Sequence, residues 1–164
     1  ILLASILELI GKGNVLGVEI ELRRHNETAI KKHPMYKRIK ILKGSSTDPK
    51  NFEKVKKIAK NNKKILVILD SDHTKKHVLE ELNLYSQFVS KNSYIIVCDT
   101  IIQDFPKNWF SNNGIDRPWN KLDNPKTAVW EFLKQNNRFK IDKLIENKLL
   151  VTTSPDGFLK CIKN

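Results

Sequence analysis

The apolar run Ile65-Leu66-Val67-Ile68-Leu69 stops at Asp70, and Ser71, Asp72, His73 and His77 crowd in directly behind it. Continuous apolar residues suit a strand buried on both faces. The stretch therefore reads as a central strand with a polar cluster at its carboxyl end and a helix close behind. In open α/β sheets that edge is where ligands bind.

The rest of the chain repeats this logic. Residues 2–10 read as a helix stopped at Gly11-Lys12-Gly13-Asn14, and Val15 to Glu21 as a short strand ending in acid. A helix from Arg24 to Lys32 closes at His33-Pro34, and Ile39 to Lys43 is extended before Gly44-Ser45-Ser46. Asp48-Pro49 opens a helix that runs to about Asn61. Past the central strand, Val78 to Val89 is amphipathic, and Tyr94 to Asp99 is a further strand ending in acid. Residues 100–123 carry Phe105, Trp109, Phe110 and Trp119, the makings of a lid or substrate wall. Asp123-Asn124-Pro125 caps a helix to Asn136, and Phe139 to Asp142 reads as a strand. Leu149 to Thr153 and Phe158 to Ile162, flanking Ser154-Pro155-Asp156-Gly157, read as a hairpin. Strand and helix alternate through Asp99, which implies a parallel sheet with right-handed crossovers and an antiparallel C-terminal edge.

At 164 residues the chain suits a single domain, 1–164. No run approaches the eighteen or so apolar residues of a membrane span, and ILLASILELI lacks the flanks of a signal peptide. The expectation is a cytoplasmic protein that does not engage a membrane. Cys98 and Cys161 lack CxxC spacing and read as core thiols. The net charge of +12 comes from scattered, Lys-dominated residues, so a solvated basic surface is favoured over nucleic-acid binding. A homo-oligomer stays open as a partner.

Three sets of residues could carry chemistry. Glu19, at a strand end, could accept ribose hydroxyl hydrogens, with Glu21 as its competitor. Asp70 and Asp99 end strands separated by one helix, and two hard oxygen ligands suit Mg²⁺. His73 stands close enough to act as a proton acceptor. Four residues on, His77 could join His73 and Asp70 in a two-histidine, one-carboxylate iron site.

The stretch LDSDHTKKHVLEELNLYSQFVSKNSYIIVCDTIIQDFP, followed by RPW, DNPKTAVWEFL and TTSPDGFLK, resembles the cephalosporin hydroxylase family, which overlaps with rhamnosyl O-methyltransferases. GVEIELRRHNETAI and GSSTD upstream fit the same family. The resemblance implies a three-layer, Rossmann-like class I methyltransferase fold that uses S-adenosylmethionine and Mg²⁺ on a small-molecule hydroxyl acceptor, a sugar or natural product. It assigns Glu19 to the cofactor ribose, Gly44, Ser45 and Ser46 to the adenine end, and Asp70 and Asp99 to the metal. Asp70 would also adjoin the cofactor and take part in catalysis. Cys98 stands where some relatives have a ligating Glu, leaving Thr100, Asp104 or water as third ligand. His73 occupies the position of the lysine base of catechol-type methyltransferases. The first strand and its Gly-rich loop have no counterpart here, so the chain resembles an N-terminally truncated member. Two alternatives accompany this reading, an iron-dependent hydroxylase and a non-catalytic methyltransferase-like binding module.

Overall fold

A computed structural model of the chain describes residues 1–163. The backbone forms two compact units, Ile1–Ile58 and the part from Ala59 onward.

In the first unit, α1 (Leu2–Ile10) ends at Gly11, whose left-handed backbone (φ 80°) lets its N–H close on the Glu8 carbonyl. Strand β1 (Val15–Glu19) leads into α2 (Arg24–Lys32), β2 (Ile39–Lys43) and α3 (Pro49–Ala59). The two strands are parallel, with Val15 opposite Ile39 and Glu19 opposite Lys43. Glu8 ties α1 to the segment before β2 through Lys37 and Arg38, each at 2.5 Å. Arg38 also donates to the Gly13 carbonyl at 2.8 Å. Ala4 is buried, while Leu2, Leu9 and Ile10 face solvent.

The second unit holds β3 (Val67–Leu69), α4 (Lys75–Tyr85), β4 (Tyr94–Val97), the short α5 (Trp109–Asn112), α6 (Pro125–Gln135), β5 (Phe139–Ile141), α7 (Lys143–Leu149) and β6 (Phe158–Cys161). Its sheet runs β3-β4-β6-β5, with β3 parallel to β4 and β6 antiparallel to both its neighbours. Helices α4 and α6 pack on each other and on this sheet. They bury Val78, Leu82, Ala128, Val129 and Phe132 with Leu69, Ile95, Val97 and Leu159.

Three expectations are corrected. The strand after Lys64 is short and lies at the edge of its sheet, and Ile68 is exposed, so the run is not buried on both faces. The antiparallel C-terminal strand is interior, between β4 and β5, rather than an edge. Leu149 to Thr153 forms no strand. Asp142 instead accepts from the Leu144 N–H and caps α7, which Leu150 ends at φ 63°, leaving Leu150 and Val151 nearly 90% exposed. With its expected partner gone, β6 pairs with β4 and β5 instead. Among the described residues no helix is long and apolar enough to cross a membrane.

Candidate functional site

Parallel pairing of β3 and β4 sets Leu69 opposite Val97, and the Cys98 N–H extends the ladder to the Leu69 carbonyl at 2.9 Å. Asp70 and Asp99 therefore emerge side by side at the carboxyl edge. Asp99 takes a left-handed conformation (φ 53°, ψ 27°), which Asp tolerates better than most residues. The chain then enters a 3-10 turn, Thr100–Asp104.

His73 reaches back from the loop before α4. Its Nε2 lies 3.2 Å from Asp99 Oδ2 and 3.6 Å from Asp70 Oδ1. That nitrogen is buried, yet neither contact has hydrogen-bond geometry. One ligand atom from each of Asp70, His73 and Asp99 falls within 4.8 Å of the others. Two carboxylate oxygens fit a divalent cation, and the buried imidazole nitrogen beside them offers one lone pair, which can ligate a cation or accept a proton but not both at once.

The loop between Asp70 and His73 is held from below. Ser71 Oγ donates to Glu81 Oε2 at 2.8 Å, and Glu81 is buried. Asp72 Oδ1 accepts from the Thr74 N–H at 2.8 Å, and Thr74 caps α4. Burial raises the Asp72 pKa, but the hydrogen bonds from Thr74 outweigh it and hold the carboxyl below its ordinary value. Burial, then the charges of Asp70 and Asp99, push the Cys98 thiol up to about 11, which keeps it protonated and a poor ligand.

In the first unit, the Glu19 and Gly44 ends of β1 and β2 adjoin, because the Gly44 N–H donates to the Glu19 carbonyl at 2.9 Å. Gly44 has φ 119°, and a Cβ there would stand 2.7 Å from Asn51 Nδ2. The Asn51 amide needs that space to donate to the Lys43 and Ser45 carbonyls, both at 3.1 Å. Glu19 Oε1 accepts from the Glu21 N–H at 3.2 Å, and its carboxylate faces solvent.

A family model described as rhamnosyl O-methyltransferase/CmcI matches residues 1–162. The chain belongs to this family. Among curated relatives, the rhamnosyl O-methyltransferases of Mycobacterium bovis (strain BCG / Pasteur 1173P2) and Mycobacterium tuberculosis (strain ATCC 25177 / H37Ra) are each 33% identical over 121 residues. The match covers 73% of this chain and 45% of each relative, so the chain spans about half the length of these proteins. No solved structure matches it significantly.

Within this rhamnosyl O-methyltransferase/CmcI member, the residues singled out from sequence separate clearly. Asp70, His73 and Asp99 converge. Thr100 is buried and donates through Oγ1 to the Pro155 carbonyl at 2.6 Å. The Asp104 carboxylate is bound at 2.7 and 2.9 Å by Lys126. His77 lies 3.6 Å from Glu81 and outside the cluster, so a two-histidine site is not assembled among the described residues. Around His73 the aromatic residues form a continuous array. Phe105 stacks on Trp109 with centroids 4.3 Å apart, Phe110 meets Trp109 and Trp119 edge-on, and Trp119 meets His73 edge-on at 6.0 Å. Sequence patterning does not point to Lys126, because its partners Asp104 and Asp156 lie far along the chain, nor to Glu81, because its contact with Ser71 depends on how the loop after β3 folds back. Only a charged residue on an otherwise apolar helix face marks them beforehand.

Proposed function

We propose that the chain carries an S-adenosylmethionine-dependent O-methyltransferase activity, assisted by Mg²⁺, on a hydroxyl of a sugar or small natural product. The observation that carries this reading is the Asp70, His73 and Asp99 cluster with its unpartnered Nε2. The names of the mycobacterial relatives favour a rhamnosyl acceptor within this class.

Asp70 and Asp99 would hold the cation, with water or substrate oxygens completing its shell. When bound, Mg²⁺ supplies charge that lowers the pKa of a ligated hydroxyl, and S-adenosylmethionine supplies an electrophilic methyl group. His73 Nε2, beside both carboxylates, would take the proton of the acceptor hydroxyl. Glu19 accepts the two ribose hydroxyl hydrogens, and the Gly44-Ser45-Ser46 turn borders the adenine. Trp109, Phe110 and Trp119 exclude water and offer ring faces to the acceptor.

Calorimetry of the full chain with Mg²⁺ and with S-adenosylmethionine tests this reading, followed by methyl transfer to a rhamnosyl acceptor. Asp70→Asn and Asp99→Asn should each weaken Mg²⁺ binding by at least about tenfold. Unchanged binding in both variants would refute the metal assignment.

A further inference from the structure

We propose that Lys126 is a positioning residue, which anchors the segment presenting Asp99 and thereby sets the affinity of the cluster for its cation. The inference rests on the metal reading above. It begins from the location of Lys126, which is unfavourable on two counts. The residue lies in the first turn of α6, where the helix dipole disfavours positive charge, and its side chain is only 6% exposed. A buried ammonium is tolerated only with close anionic partners.

Lys126 has two such partners, on different segments. Its Nζ binds both oxygens of Asp104, at 2.9 and 2.7 Å, and lies 3.4 Å from Asp156 Oδ2. Asp104 ends the 3-10 turn that begins directly after Asp99. Asp156 belongs to the turn from Ser154 to Gly157, which grips the same region by backbone. The Val97 N–H donates to the Gly157 carbonyl at 2.9 Å, and the Ile101 N–H to the Thr153 carbonyl at 3.1 Å. Thr100 Oγ1 donates to the Pro155 carbonyl. A second anchor lies at the root of α6, where the buried Asn124 donates to Gln103 Oε1 at 2.8 Å and caps the helix.

Asp99 is thus the one left-handed residue between two anchored stretches, Val97-Cys98 and Thr100–Asp104. Asp tolerates that conformation but gains nothing intrinsic from it, so the anchored stretches on either side are what hold it there. Lys126 joins α6, the 3-10 turn and the Ser154–Gly157 turn through one charge. Without it the far end of the 3-10 turn loses its only ionic tie among the described residues to α6. The Asp99 carboxylate then samples positions outside the cluster.

The test is a Mn²⁺ titration followed by electron paramagnetic resonance on the full-length wild type, Lys126→Met, Lys126→Arg and Asp104→Asn. Near-UV circular dichroism and thermal melts of the same samples establish that each is folded. The expected result is Mn²⁺ binding weakened about 10- to 100-fold in folded Lys126→Met, as for groups that orient metal ligands. Lys126→Arg should recover most of the affinity, and Asp104→Asn should match Lys126→Met. Unchanged affinity in folded Lys126→Met overturns the inference. So does tighter binding, because that is what freeing Asp104 would produce if Asp104 were itself a ligand. Should Lys126→Met not fold, Asp104→Asn, which breaks the same ionic tie from a half-exposed side chain, decides the matter, and unchanged affinity there overturns the inference. If the wild type binds no Mn²⁺, the metal reading itself fails and takes the inference with it.

Discussion

Gly157 shows how tightly the candidate site is built at the level of single atoms. A Cβ at this position would stand 2.2 Å from the Val97 carbonyl oxygen and 3.0 Å from that of Ser154. Both are backbone atoms, so no side-chain rotation can relieve the clash. The close approach lets the Gly157 carbonyl accept from the Val97 N–H, two residues before Asp99. Gly157→Ala should therefore cost about 1–3 kcal/mol, the range for overpacking a well-filled site. A shift of the urea midpoint at unchanged slope would measure it, and a wild-type midpoint would show that the Ser154–Gly157 turn yields freely. The sequence marks this glycine as part of a turn, but its tight contact with β4 depends on a strand some sixty residues earlier.

Among the elements, those whose ends carry local chemistry were the legible ones. Helix α2 and strand β2 fall where the pattern placed them, and α6 begins at Asn124-Pro125, where Asn124 and Thr127 form a reciprocal capping box. Leu149 to Thr153 has the pattern of a strand but forms none, because a short apolar run is locally the same whether it pairs or not, and only long-range contacts decide. The acid-ended strands made Asp70 and Asp99 readable, whereas Lys126 needed partners twenty-two and thirty positions away. Helix α2 also supports a pH prediction. Hydrogen bonds from Lys31, on the same helix, and Lys43, on β2, lower the Glu27 pKa from 4.5 to about 2. The folded chain then holds fewer protons on this group than the unfolded chain between those values. Its stabilisation is complete above pH 4.5 and lost as pH falls through about 2. Glu27→Gln should lower Tm at pH 7, with the difference shrinking through pH 4.5 and vanishing near 2. Melts across that range read it directly, and a constant difference would assign the loss to something other than ionisation.

Across the whole molecule, the same device appears twice. In each unit, parallel strands end together, and an acid stands at the shared carboxyl edge: Glu19 beside Gly44 in one, Asp70 beside Asp99 in the other. The family match runs through both units, residues 1–162. Under the proposed function Glu19 would meet the ribose hydroxyls, and Asp70 and Asp99 would hold the cation. That division is open to a test in which the two ligands respond separately. Glu19→Gln keeps the size of the side chain and its acceptor to the Glu21 N–H, but removes the charge that binds two hydroxyl hydrogens. Charge-assisted hydrogen bonds are each worth about 1.5–3 kcal/mol, so S-adenosylmethionine binding should weaken by about tenfold or more. The Mg²⁺ titration of the same variant should overlay that of the wild type, since Asp70 and Asp99, which would hold the cation, are untouched. Asp99→Asn should give the reverse pattern, with Mg²⁺ binding lost and most of the affinity for S-adenosylmethionine kept. Parallel losses in both titrations for either variant would show that the substitution is not specific to one ligand, and unchanged cofactor binding in Glu19→Gln would remove Glu19 from the ribose.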